Sequence, residues 1–239
     1  MKVSVITVVY NDVLGIVKTV ESVLSQRDIS VQYIVMDGGS TDGTVEVLKG
    51  FVATGVELEI RQDKGMYDAL NYAYKKCLGE YIAILNSGDS YVLHNSLSDA
   101  VNCLKSNGAT FLYSDVFFGR QVESARRLSS EIRSNVMLGL GYYHTSIVCS
   151  KLLYEQVGPF SMRYKIAADV DWLLKAYKTP CFKPIKADPL VFMNDMGVSA
   201  TLKWSSIGEY CQVLRSAGFS KIYVVITLFL QLLAARRGL

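Results

Sequence analysis

The sequence predicts an α/β fold whose mostly parallel central sheet is flanked by helices, and three observations lead there. Short β-branched runs alternate with amphipathic stretches between residues 3 and 85. Each run ends in a polar turn: Asn11-Asp12, Asp37-Gly38-Gly39, Asp63-Lys64-Gly65 and Asn86-Ser87-Gly88-Asp89. Such alternation implies right-handed crossovers, which bring those turns to one edge, the place where open α/β sheets bind ligands.

Taken in order, VSVITVVY (3–10) is a nearly continuous β-branched run, as suits a central strand covered on both faces. Ile16, Val17, Val20, Val23 and Leu24 then recur at helical spacing, while Lys18, Glu21 and Gln26 fall elsewhere around the helix. A second strand, VQYIVM (31–36), leads into the tight turn DGGSTDGT and the helical stretch TVEVLKGF. Ser40, Thr41 and Asp42 read as caps for that helix. The third strand, VELEI (56–60), precedes a helix in which Met66, Ala69, Leu70, Ala73 and Cys77 share a face. The fourth, EYIAIL (80–85), stops at Asn86.

The chain of 239 residues is half apolar, enough for one sizeable domain plus an appendage. Its 25 basic and 22 acidic residues leave a net charge of +3, too balanced for a nucleic-acid partner. Five scattered cysteines without a CxxC pair argue for reduced thiols and a cytoplasmic setting, against a disulfide framework or zinc site. The opening apolar run is short and lacks a small-residue cleavage site, so a buried strand is expected there rather than a signal peptide.

The first turn, YNDVLG, supplies neither the GxGxxG of a dinucleotide site nor the GxxxxGK[ST] of a P-loop. An edge rich in carboxylates and amides suits instead ribose and base recognition together with a hard cation, which prefers oxygen ligands and neutralises a diphosphate.

The strings VSVITVVYN, DGGSTDGT, DKGMYDALN, GEYIAILNSGD and AADVDWLLK, in this order over residues 3–175, resemble the inverting glycosyltransferases of family 2. The resemblance implies a Rossmann-like GT-A fold and transfer of a hexosyl or N-acetylhexosaminyl group from a nucleotide-sugar, most often a UDP-sugar, with Mn²⁺ or Mg²⁺. It implies a catalytic domain over 1–200, with a nucleotide-binding half (1–90) and an acceptor half (91–200), followed by a helical tail (201–239). Val9, Asn11, Asp37, Asp63, Asp68, Asn71, Asn86, Ser87 and Gly88 fall at its donor positions, with Asp37 on the nucleobase. For Asp37 the alternative is a turn-forming role, and for Asp68 helix capping. Leu70 stands where many relatives carry Arg, so a cationic diphosphate contact is expected from Lys64 or elsewhere.

The DxD-type metal motif of the family is reduced here to Asn86-Ser87-Gly88-Asp89, which leaves Asp89 as its metal-binding carboxylate. Asp169, after Ala168 where Glu often stands, matches the general base; Asp171 is the second candidate, and helix capping is the plain alternative for both. His144 matches an acceptor-side position, and Asn194 or Asp195 stands where some relatives place a metal-binding histidine. Arg120, Arg126, Arg127 and Arg133 form a local basic stretch that reads either as a solvated face or as a contact for a phosphorylated acceptor.

Residues 222–235, IYVVITLFLQLLAA, are an apolar run of 14 residues, about 21 Å as a helix and too short to span a bilayer comfortably. Flanked by Lys221 and Arg236-Arg237, it reads as a core helix, an oligomer contact or a helix lying on the inner face of the cell membrane. In the last case a lipid-linked oligosaccharide is the natural acceptor, in cell-surface polysaccharide synthesis; otherwise the acceptor is a free saccharide. A nucleotidyltransferase, or an inactive nucleotide-sugar-binding or scaffold module, are the competing readings.

Overall fold

The computed structural model describes residues 1–120, 124–130, 142–194 and 203–236. Strands β1 (Lys2–Val9), β2 (Ser30–Asp37), β3 (Val56–Ile60) and β4 (Tyr81–Ile84) pair in parallel in the order β3-β2-β1-β4. Helices α1 (Val13–Leu24), α2 (Thr44–Phe51) and α3 (Met66–Tyr74) make the crossovers, as the periodicity predicts. One shift matters for function: β2 runs to Asp37, so this residue ends the strand rather than opening the turn.

Among the described residues the second half completes a nine-stranded sheet, ordered β3-β2-β1-β4-β8-β6-β9-β5 with β7 beside β6. Its elements are β5 (Ser90–Tyr91), α4 (Ser96–Ser106), β6 (Phe111–Phe118), β7 (Arg126–Leu128), β8 (Val148–Ser150), α5 (Lys151–Val157), α6 (Ala168–Ala176) and β9 (Pro184–Met193). β8 joins the halves, antiparallel to both β4 and β6, while β6 and β9 run parallel. Helices α7 (Lys203–Ser216) and α8 (Lys221–Arg236) follow.

Both faces of the sheet are covered, which is why its strands read as unbroken apolar runs. One core holds Val3, Val5, Ile16, Val20 and Leu48 under α1, α2 and α4. The other packs Ile6, Ile34, Ile82 and Phe111 against α3, α5, α6 and α7. The boundary expected at 201 does not isolate α7, because Tyr210, Val213 and Leu214 are buried in this second core. Gly79 shows how tightly the parallel edge is packed: a Cβ there would stand 2.5 Å from the Ser4 backbone nitrogen.

One buried carboxylate organises the second half. Asp115 lies where the β6–β9 register shifts, between Ser114 and Val116, and is 3% exposed. Its oxygens receive Arg127 Nε at 2.8 Å, the Ser130 N–H at 2.8 Å and Lys186 Nζ at 2.8 Å, drawing β6, β7 and β9 onto one charge. Burial works against that charge, but the bonds from Lys186, Ser130 and Arg127 outweigh it and hold the carboxyl at about 2. Arg127 is thereby committed to the fold, Arg126 lies over the Phe118 ring, and Arg133 is outside the described residues. Of the basic stretch, Arg127 is corrected from acceptor candidate to structural ion pair.

A depressed folded-state pKa contributes stability above the unfolded value near 3.8 that is lost as pH falls through the folded value near 2. Asp115→Asn should therefore cost about 2 kcal/mol at pH 7, the worth of hydrogen bonds to a charged group. The gap to wild type should narrow between pH 4 and pH 2, and urea unfolding midpoints at neutral and acid pH measure both effects.

Candidate active site

Parallel register brings the site together. Val9 on β1 pairs with Asp37 on β2, and Asp37 with Ile60 on β3, so the three strands release their loops from one row. Asp37 is fully buried; its Oδ1 accepts the Gly39 and Ser40 N–H groups at 2.9 and 2.8 Å, while its Oδ2 is buried with no partner among the described residues. A buried acceptor left open at a strand end is costly to the fold and points to a ligand donor. The turn-forming role of Asp37 is thus seen on Oδ1, and Oδ2 is left over from it.

The neighbouring turn meets it. A Cβ at Gly38 would come within 3.2 Å of Asp63 Oδ2 and 3.3 Å of Tyr10 Cδ2, so Tyr10, Gly38 and Asp63 share one small space. Asp63 turns its other oxygen to the Gly65 N–H at 2.8 Å. Tyr10 is 64% exposed at this rim, with its ring free to lie on a planar base; the sequence reading passed over it because a strand-end tyrosine carries no motif.

Several expected donor residues turn out to hold loops in place. Val9 is 2% exposed and its side chain is buried in the core, so only its carbonyl serves the edge, accepting the Gly38 N–H at 3.0 Å. Asn11 adopts the left-handed conformation (φ 51°) that asparagine tolerates, and its Oδ1 takes the Thr41 N–H. Asp42, expected as a cap, accepts from Thr44 and from the Val13 N–H. Asp68 is taken up by Arg61 and by the Lys64 N–H, both at 3.1 Å. Asn71 spends both ends of its amide on the Phe160 backbone, at 2.9 Å each, and so ties α3 to the segment before α6. Its expected place at the donor is corrected accordingly.

The turn after β4 is clamped by α1. Thr19 Oγ1 receives the Gly88 N–H at 2.9 Å and donates to the Asp89 carbonyl at 2.7 Å, and Gly88 takes the φ of 88° that only glycine adopts readily. Asn86 contributes its carbonyl to the Asp89 N–H. Ser87 Oγ donates to Asp12 Oδ2 at 2.7 Å, so a second carboxylate stands over the turn. Asp12 caps α1 through Oδ1, and the capping role read from the sequence concealed this other face. Asp89 is 4% exposed and accepts the Asn194 N–H at 2.9 Å. Burial raises its carboxyl to about 7, the Asn194 bond opposes this and Asp12 adds to it. Among the described residues no three His, Cys, Asp or Glu side chains gather around one point. Asp195 is outside the described residues.

Across the edge, Asp169 occupies the first turn of α6 and faces a cavity shared with His144, Tyr142 and Trp172. Its Oδ1 accepts the Val170 N–H at 2.8 Å and lies 3.2 Å from the Tyr67 hydroxyl, which also donates to the Ile166 carbonyl at 2.6 Å. Burial pushes the Asp169 carboxyl up, against the pull of His144 and these bonds. Burial likewise pushes the His144 imidazole below its usual value, with Asp169 opposing. Asp171, two residues on, is paired with Lys175 at 2.7 Å and does not line the cavity.

Glu209 on α7 completes this side. Its carboxylate receives the backbone N–H groups of Lys165, Ile166 and Ala167, the three residues that lead into α6. No local signal announces such a cap, since 42 residues separate Glu209 from Ala167.

Residues 4–171 match the model of glycosyl transferase family 2. An Escherichia coli protein, the UDP-Glc:alpha-D-GlcNAc-diphosphoundecaprenol beta-1,3-glucosyltransferase WfaP, is 27% identical over 234 residues, 95% of this chain and 91% of its own. The structure superposes on Staphylococcus aureus TarS 1–349 in complex with UDP-GlcNAc with a TM-score of 0.72 at 18% identity, covering 95% of this chain and 70% of that one. It also matches glucosyl-3-phosphoglycerate synthase from Mycobacterium tuberculosis in complex with Mn²⁺, UDP and phosphoglyceric acid, with a TM-score of 0.66 at 17% identity, over 92% of this chain and 80% of that one. Strand-end carboxylates on a Rossmann-like GT-A sheet and a family match over most of the chain lead to one conclusion: the protein is a glycosyltransferase and belongs to glycosyl transferase family 2.

Proposed function

We propose that this glycosyltransferase moves a sugar, with inversion, from a UDP-sugar to a hydroxyl of a lipid-linked saccharide at the inner membrane surface. The observation that carries this reading is the open, buried Oδ2 of Asp37 at the strand end where Tyr10 and Asp63 meet Gly38; Asp169 is joined to α3, the helix that follows Asp63, through Tyr67. In this reading Asp37 accepts from the imide N–H of uracil, Tyr10 lies against the base, and Asp63 receives ribose hydroxyls.

Asp89 and Asp12 offer oxygen donors, a set that fits Mn²⁺ or Mg²⁺, although the Lys18 ammonium also acts on the Asp89 carboxylate. Among the described residues too few carboxylates gather to complete a coordination sphere, so water and the donor diphosphate would supply the rest, as befits a cation that binds together with substrate. When bound, the cation neutralises the departing diphosphate. The names of the mycobacterial synthase structure and of WfaP support a divalent metal and a lipid-linked acceptor, respectively.

Asp169 acts as general base, taking the acceptor proton as the hydroxyl attacks the anomeric carbon. Its desolvated carboxylate is more basic than an exposed one, and Tyr67 and the Val170 N–H hold its orientation. Asp171, already paired with Lys175, is the weaker candidate.

Helix α8 supplies the membrane contact. Ile222, Val225, Ile226 and Phe229 recur at helical spacing, all exposed, while Val224 and Thr227 face the protein. No helix among the described residues is long and apolar enough to cross a membrane; in this reading the exposed apolar face of α8 rests on the membrane surface.

Three outcomes test this reading. Calorimetric titration should show UDP binding that requires Mn²⁺ and weakens at least tenfold in Asp89→Asn; absence of any nucleotide binding would overturn the donor site. Asp169→Asn should lower kcat by 10²- to 10⁴-fold with UDP affinity unchanged, and the acid limb of the wild-type pH–rate profile should lie above the ordinary carboxylate range, since the raised pKa delays formation of the base. Flotation with vesicles containing anionic lipid should recover the wild-type protein, and Ile222→Glu/Phe229→Glu should abolish that recovery while UDP still binds.

A further inference from the structure

Glu209 sits on α7, beyond the family match that ends at residue 171, yet its carboxylate is spent on the segment that leads to Asp169. Its Oε2 receives the Ile166 and Ala167 N–H groups at 2.7 and 3.0 Å, and its Oε1 the Lys165 N–H at 3.0 Å. The N-cap of α6 is Ala167, which carries no side-chain acceptor, so the hold on this segment comes from outside it. Bonds to a carboxylate are among the strong ones. The platform beneath them is firm: Ile207, Tyr210, Val213 and Leu214 of α7 are buried, and Ser216 Oγ meets the Tyr164 hydroxyl at 3.0 Å.

Ile166 is where this hold reaches the site. Its N–H is taken by Glu209 and its carbonyl accepts the Tyr67 hydroxyl at 2.6 Å, while the same hydroxyl lies 3.2 Å from Asp169 Oδ1. A phenol has one proton to give, and the shorter contact takes it. Burial, and then Asp169, push the Tyr67 phenol up, so that it keeps this proton. Tyr67 therefore touches Asp169 and fixes where its carboxylate stands, but gives it little of the hydrogen bonding that stabilises a charge. If the Ile166 carbonyl drifted, the proton would turn to Asp169 and the carboxylate would become a weaker base.

We propose that Glu209 is a positioning residue for catalysis: it holds the Ile166 carbonyl on the Tyr67 hydroxyl, so that Tyr67 orients Asp169 while its proton stays with Ile166. The proposal rests on the function proposed above, in that it takes Asp169 as the base. It also makes α7 part of the catalytic unit.

The test uses the full chain labelled with [4-¹³C]aspartate, the Asp169 carboxyl signal being assigned by its loss in Asp169→Asn. His144 and Tyr142 also stand beside Asp169, and both are kept in every variant. In wild type the Asp169 carboxyl should titrate above the ordinary carboxylate range. Glu209→Ala should bring that titration down by about one pH unit. It should also lower kcat, read as UDP release from UDP-glucose or UDP-N-acetylglucosamine, by about ten- to a hundredfold with UDP affinity unchanged. Glu209→Gln keeps one side-chain oxygen for the Ile166 and Ala167 N–H groups without the charge, and should restore both properties. In a Tyr67→Phe background Glu209→Ala should move neither. An Asp169 titration unchanged in Glu209→Ala, a Glu209→Gln that behaves as the alanine does, or the same shift with and without the Tyr67 hydroxyl would each overturn the proposal. A lower Tm with no other change would make Glu209 a cap for the fold alone and overturn it as well. Each of these leaves the transferase reading intact. Asp169→Asn with undiminished kcat, alongside the expected titrations, would overturn the base and leave the Glu209 network standing.

Discussion

The parallel register of β1, β2 and β3 is the constraint on which the site depends. Because Val9, Asp37 and Ile60 share one row, the loops that follow them leave the sheet side by side, and Gly38 permits the closeness that brings Tyr10 and Asp63 together. A slip of one residue along β2 would turn Asp37 to the other face of the sheet. Double coverage of the strands protects that register. A polar residue moved to the wrong place would meet a dry core rather than water, at Thr7 as at Asp37.

Within this frame the protein uses carboxylates in two opposed ways. Asp115 is surrounded by Arg127, Lys186 and a backbone N–H, and its pKa falls; it is a brace that holds the second half of the sheet. Asp89 and Asp169 are desolvated with few donors around them, and their pKa values rise. A fold that only sought stability would not bury two such groups. Their cost becomes intelligible if one meets a cation and the other meets the proton of an attacking hydroxyl, and perturbed carboxylates of this kind cluster at functional sites.

Much of the polar material around the site works on backbone rather than on ligand. Thr19 fixes the turn that carries Asp89, Asn71 fixes the segment at Phe160, and Asn11 fixes the loop at Thr41. Glu209 does the same from α7, so a helix late in the chain sets the start of the helix that carries Asp169. Preorganisation of this sort keeps donors and acceptors aimed without reorganising at the moment of reaction.

The sequence by itself determined the alternating β/α architecture and the family, and it singled out Asp37, Asp63, Asp89 and Asp169 as candidate carboxylates. Those features are local: periodicity, turn chemistry and short motifs are written in neighbouring residues. It also located the tail helix, since an unbroken apolar run needs no partner to be seen. Only the tertiary structure decided which polar residues were free for a ligand. Val9, Asn11 and Asn71 sit in the right strings, but their groups are buried or spent on distant backbone, whereas Tyr10 and Asp12 emerged only once four loops were folded together. The antiparallel entry of β8, the claim of Asp115 on Arg127 and the cap of Glu209 on α6 likewise join residues far apart in the chain. A hydrogen bond satisfied across 42 or 89 residues leaves no mark on local pattern, and burial, which decides whether a carboxylate braces or reacts, is a property of the whole packed core.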